Sequence, residues 1–195
     1  MSMQTGTWTE CIFTNRADYT ALASFTSEAS LLGGLNLQPT LYPSFFEGTR
    51  SFGRGLSIVA RGVLSVTATP TYTFTVRIGT ALASIGGTVV GISNAITAIN
   101  GVTNKWWELR LDLVCNTPGQ GSGNTTVSGS GYVVSPGGFG SPFVYPLEPS
   151  APDTATWTAT LDNSAANYVN LSATCSASSA SNTIQCKQLI VLGLN

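Results

Sequence analysis

Over most of its patterned segments the chain alternates apolar and polar residues with a period of two, the signature of strands that bury one face. In YTFTVRI, residues 72 to 78, Tyr72, Phe74, Val76 and Ile78 share one face, while Thr73, Thr75 and Arg77 share the other. KWWELRLDLVC, residues 105 to 115, does the same. Trp107, Leu109, Leu111, Leu113 and Cys115 fall on one side, and Trp106, Glu108, Arg110 and Asp112 on the other. The adjacent tryptophans are therefore expected on opposite faces, Trp107 in the core and Trp106 in solvent. Toward the C-terminus Val169, Leu171, Ala173 and Cys175 alternate with polar residues, as do Ile184, Cys186, Ile190, Leu192 and Leu194. SASSASN between them has turn composition, which predicts a hairpin. GLSIVARGVLSV (55 to 66), TTVSGSGYVV (125 to 134) and TATWTATL (154 to 161) bring the expected strands to at least seven.

Two segments carry mixed signals. In residues 18 to 34, Leu22, Phe25, Ala29 and Leu32 have helix-like spacing before a Gly-Gly stop, yet the Ser and Thr content also permits a strand pair. In residues 87 to 101, Val89, Ile92, Ile96 and Ile99 recur at three and four, but glycines and β-branched residues favour strand, turn and strand. Strands are expected in both. Residues 116 to 125 and 135 to 152, rich in Gly and Pro, are expected as loops. Many short strands without a long helical period indicate a sandwich, barrel or jelly roll. At 195 residues a single domain spanning 1–195 is expected, with residues 1–18 a candidate extended N-terminal arm.

Composition narrows the function classes. Charged residues are 9% of the chain and the formal net charge is -1, against about 25% charged in an ordinary soluble domain. Nucleic acid is not an expected partner without a basic stripe to displace counterions, nor is a membrane, since no apolar run reaches the roughly 18 residues of a span. So little charge suits a surface partly buried against other subunits. The start of the chain lacks the basic and apolar regions of a secretory signal, so a reducing cytosol is the expected place of synthesis and assembly. Cys11, Cys115, Cys175 and Cys186 sit in apolar patterns without metal-ligand spacing and read as buried thiols. A hairpin would set Cys175 and Cys186 opposite or one step off, which leaves a disulfide between them open.

There is no histidine, so the usual general base and most metal sites are missing, and no catalytic residues, cofactor or metal are expected. GQGSGN (119 to 124) lacks the Lys-Ser/Thr of a phosphate loop. Glu108 and Asp112 share a strand face, but four residues of strand separate them by about 13 Å, too far for a glycosidase pair. With Arg110 between them they read as a charge-compensated solvated face. The remaining candidates are aromatic: Trp8, Trp106, Phe139, Phe143 and Tyr145 as contact residues at an interface or on a sugar. Trp157, flanked by threonines, is equally compatible with core. For Phe139, Phe143 and Tyr145, burial at a subunit contact and packing back on the same chain are both open.

The order of four strand motifs carries a resemblance. LYPSFFEGTRSFGRGLSIVARGVLSVTATPTYTFTVRIG (41 to 79), NKWWELRLDLVCNT (104 to 117), TTVSGSGYVV (125 to 134) and NYVNLSATCSASSASNTIQCKQLIVLGLN (167 to 195) cover roughly two thirds of the chain. In this order the chain resembles small jelly-roll virion proteins of tailed bacteriophages. Residues 1 to 40 and 135 to 152 depart from that pattern. The resemblance implies an all-β, jelly-roll-like antiparallel β-sandwich that is a non-enzymatic virion component, commonly a homotrimer. It implies a capsid cement or decoration protein whose partner is the major capsid protein or another virion protein. A receptor-binding module of a fibre or tail tip, recognising a host glycan, is the alternative. Residues 1 to 18 and 135 to 150 are the segments expected to lie on a capsid lattice.

Overall fold

Wherever apolar and polar residues alternate, the chain pairs its backbone with a neighbour and turns its apolar side chains one way. A computed structural model describes residues 9–33, 38–47, 54–82, 85–118, 124–149 and 157–194. They form fourteen strands: β1 (Thr9–Thr14), β2 (Leu22–Ala23), β3 (Ala29–Ser30), β4 (Thr40–Leu41), β5 (Gly55–Ser65), β6 (Thr71–Gly79), β7 (Thr88–Ser93), β8 (Ile96–Thr97), β9 (Lys105–Thr117), β10 (Asn124–Val134), β11 (Val144–Glu148), β12 (Thr158–Asp162), β13 (Asn167–Cys175) and β14 (Thr183–Leu194). One short 3-10 turn, Phe45–Glu47, is the single helical element among the described residues. All the named strand pairs are antiparallel. The fold is an all-β antiparallel sandwich.

The strands run in the order β1-β14-β5-β9-β10-β11-β7-β6-β13-β3, with β11 joining two layers. Leu56, Ile58, Ala60 and Leu64 of β5 and Trp107, Leu109, Leu111 and Leu113 of β9 form the inner face of the first layer. Tyr72, Phe74, Val76 and Ile78 of β6 and Val169, Leu171 and Ala173 of β13 form that of the second. Phe74 and Trp107, on strands that are not paired, meet with ring centroids 5.3 Å apart across the core. Trp107 fits because Gly62 lies opposite it in register. A Cβ at Gly62 would fall 1.9 Å from the Gln185 carbonyl oxygen and 2.7 Å from the Trp107 ring.

The jelly-roll character lies in a nested pairing. β5 pairs with β14 in the first layer and β6 with β13 in the second, so β5 to β6 and β13 to β14 both cross between layers. This corrects the expected hairpin of residues 169 to 175 with 184 to 192. A turn composition predicts a change of direction, but whether the chain stays in its sheet depends on which edges are already occupied. Here β6 and β5 occupy the two edges. Cys175 opposes Tyr72 and Cys186 opposes Gly62, and both are free thiols. Cys11 is exposed, contrary to the expectation of four buried thiols, because β1 is an edge strand.

The ambiguous segments resolve as strands, 18–34 contributing β2 and β3 and 87–101 contributing β7 and β8. The stretch 135–152 is not wholly a loop. Val144–Glu148 form β11, which pairs with β10 on one side and β7 on the other. Its prolines hide it from the sequence pattern, but Pro146 faces outward opposite Tyr132 and Leu147 inward. Strand 154–161 is present as β12 from Thr158; residues 154–156 lie outside the described residues.

The N-terminal segment closes the open side of the sandwich. β1 and β2 pair with β14, while β3 and β4 pair with β13. Residues 9–14 of the anticipated arm are thus a sheet strand, and residues 1–8 lie outside the described residues. Asn15 anchors the turn after β1, its amide Nδ2 donating to the Lys187 carbonyl at 2.8 Å and its Oδ1 accepting from the Leu189 N–H at 2.6 Å.

Candidate functional site

Register sorts the outward side chains of the first layer into rows, because residues directly opposite in a ladder share a face. One row holds Val63 of β5 beside Trp106 of β9. The next runs Gln188, Arg61, Glu108, Val134 and Val144 across β14, β5, β9, β10 and β11. A third holds Val59, Arg110, Tyr132 and Pro146, and a fourth Ser57, Asp112 and Ser130. Trp106 is 50% exposed and Val144 52%. With Val59, Val63, Val134 and Pro146 they leave apolar surface among the polar side chains of the same face.

The polar rows are held by one another. Arg61 donates from Nε to Glu108 Oε2 at 2.6 Å and from Nη1 to Gln188 Oε1 at 2.9 Å. Tyr132 Oη donates to Glu108 Oε1 at 3.4 Å. Arg110 Nε reaches Asp112 Oδ2 at 3.1 Å, and Ser57 Oγ donates to Asp112 Oδ1. Exposed ion pairs of this kind contribute about 0–1 kcal/mol each. Their effect is geometric: the long side chains lie flat, and the face carries both signs of charge in balance. Ser135 Oγ donates to the Trp106 carbonyl at 2.5 Å, which ties the residue after β10 to β9.

The candidate aromatics separate. Trp106 stands outward and Trp107 is fully buried, as the alternation predicts. Phe139 is also fully buried, edge-on to Phe74 at 6.0 Å and to Tyr145 at 6.2 Å. Of the two readings kept for it, packing back on its own chain is the one observed. Tyr145 is half-buried and donates its hydroxyl to the Gly140 carbonyl at 2.9 Å. Phe143, next to Val144, is exposed and has a φ of 69°, a conformation costly for a bulky residue. Trp157 is exposed at the start of β12. Trp8 lies outside the described residues. The sequence reading missed Arg61, Gln188, Tyr132 and Val144. Each sits on a different strand from Trp106, and only register places them on the same face.

Elsewhere a polar cleft of about 220 Å³ is lined by Gly79, Thr80, Gly87, Thr88, Asp162 and Asn167, among others. Its polar groups bond within the chain. Thr88 Oγ1 donates to the Thr160 carbonyl, Asn167 Nδ2 to the Asp162 carbonyl, and Ser164 to the Asp162 carboxylate, which lowers that acid's pKa. Among the described residues no three His, Cys, Asp or Glu side chains converge on a common point, and no helix is long and apolar enough to cross a membrane.

No family model and no curated protein matches the chain. Among solved structures, it is similar to the CBM2 module of the evolved Dit of Lactobacillus casei BL23 phage J-1. The identity is 9%, 97% of each chain is covered and the TM-score is 0.33.

Proposed function

We propose that this protein is a non-enzymatic structural component of a phage virion, a cement or decoration protein that binds and stabilises the major capsid lattice. The observation that carries the reading is the outer face of β5, β9, β10 and β11, where Trp106 and Val144 are exposed beside charges already paired within the chain. Such a face docks on protein with little desolvation of free charge, and its aromatic anchor supplies the apolar contact. The resemblance of the strand motifs and the chain's low charge support the same role, with virion localisation after synthesis and assembly in the host cytoplasm as part of the proposal. The test uses particles of the encoding phage made without this protein. They should assemble yet rupture at lower temperature, regain resistance on adding purified protein, and not regain it with the Trp106→Ala variant. Resistance equal to that of complete particles overturns the role.

Trp106 also favours a second reading, a fibre or tail-tip module that binds a host surface glycan. An indole half in solvent, next to the fixed Arg61, Glu108 and Gln188 side chains, is a platform on which a sugar ring can stack and hydrogen-bond. Copy number separates the two: hundreds per particle belong to cement, a few dozen or fewer to a fibre. Binding of purified protein to host cell-wall saccharide, lost in Trp106→Ala, is the positive result for the second.

A further inference from the structure

β1 ends the sheet order and, among the described residues, is paired on one side only, with β14. An open edge of six residues is a template for another strand, and proteins commonly guard such edges with Lys, Pro or a free charge. β1, TECIFT, has no Lys and no Pro. Its single charge, Glu10, lies 3.5 Å from the Arg54 guanidinium. The one remaining guard is the bulge between Cys11 and Phe13.

That bulge decides which partner fits. In a regular strand Thr9 and Thr14, five apart, would lie on opposite faces. The extra residue puts both on the outer face, because their partners Leu194 and Ile190 are four apart. Both threonines are exposed, while Glu10 and Phe13 are half-buried. Turn a second β1 about a two-fold axis between Cys11 and Ile12, and like faces come together at both ends of the ladder, while at its centre the outward Cys11 meets Ile12, which the bulge turns toward the core. Thr9 then opposes Thr14 of the second copy, Glu10 opposes Phe13, and Cys11 opposes Ile12. No like charges meet, and the window closes where Asn15 turns away to bond the Leu189 carbonyl at 3.2 Å.

We propose that β1 is a self-association edge: two copies of this chain pair antiparallel through Thr9–Thr14 and join their sheets into one. The symmetric pairing is isologous and therefore closed. It does not rest on the virion role, and it stands or falls separately.

The test uses the full chain. Sedimentation should show a concentration-dependent dimer of the wild type. Cys11→Lys sets two cations close together at the dyad, and should raise the dissociation constant about tenfold or more with an unchanged circular dichroism spectrum. In a Cys11→Ser background, Thr9→Cys with Thr14→Cys should form a covalent dimer on mild oxidation. Within one chain those positions are about 17 Å apart, beyond the roughly 7 Å limit of a disulfide. Either substitution alone should not cross-link. Monomers at about millimolar concentration, a dimer indifferent to Cys11→Lys, or equal cross-linking by a single variant would each overturn the proposal.

Discussion

Arg77 and Glu28 join through two hydrogen bonds, Nε to Oε1 and Nη2 to Oε2, both 2.8 Å, and this fork pins the N-terminal segment to the outer face of the second layer. Arg77 lies on β6 and Glu28 just before β3, 49 residues away in the chain. Ser172 of β13 donates to the same carboxylate. Each of the two charged side chains is about one-fifth exposed, 21% and 20%.

Removing one arm of this fork leaves the other charge half-buried without its partner. Arg77→Ala is expected to cost about 2 kcal/mol of stability, read as a lower urea midpoint. Exposed pairs behave differently, and Arg110→Ala should stay within about 1 kcal/mol.

The same pair sets an acid dependence. The Arg77 hydrogen bonds hold the Glu28 carboxyl below its usual range; burial opposes this and the Ser172 bond adds to it. A carboxyl whose folded pKa is depressed contributes stability that is fully present above its unfolded value, roughly pH 4.3, and is lost as pH falls through the folded value. Glu28→Gln should therefore melt below wild type at neutral pH, and the gap should shrink as pH drops below about 4. A gap constant from pH 7 to 3 would refute it.

Neighbouring tryptophans should respond in opposite ways. Trp107→Ala empties the centre of the core and is expected to cost about 4 kcal/mol, whereas Trp106→Ala should change stability by less than about 0.5 kcal/mol. Gly62→Ala, which drives a methyl into the Gln185 carbonyl and the Trp107 ring, should cost about 3 kcal/mol or more. Thermal melts of the three variants check this ordering.

Thiol accessibility follows the layers. Cys11 is exposed, Cys115, Cys175 and Cys186 are buried, and burial pushes the Cys186 thiol up to about 12. A thiol reagent at pH 8 should titrate one of the four cysteines in the native protein quickly, and all four in denaturant without reductant. Two missing thiols in denaturant would reveal a disulfide that the fold does not contain.

A bulge in β14 gives the last prediction. Lys187 is the extra residue between Cys186, opposite Gly62, and Gln188, opposite Arg61. Beyond it Leu189 and Val191 point into the core, while Ile190, Leu192 and Leu194 are half-buried on the outer face. Lys187→Ala loses only an exposed ion pair with Asp18 and should cost less than about 1 kcal/mol. Deleting Lys187 turns the rest of the strand over and should abolish cooperative unfolding, as followed by circular dichroism.

What the chain by itself determined is the period. Two-residue alternation named β6, β9 and most of β13, assigned Trp107 to the core and Trp106 to solvent, and made the fold all-β, because a side chain's face within a regular strand depends only on its local position. Tertiary structure alone decided what depends on neighbours. Alternation continued through Lys187 predicts Ile190, Leu192 and Leu194 inside, and a single bulge reverses them. SASSASN looks like a hairpin turn, and occupied edges make it a crossover. Pro146 conceals a strand that β10 and β7 recruit. The face proposed for contact is legible only as Trp106, since Arg61, Gln188 and Val144 reach it by register across separate strands, and register is a property of pairs of segments that no single segment carries.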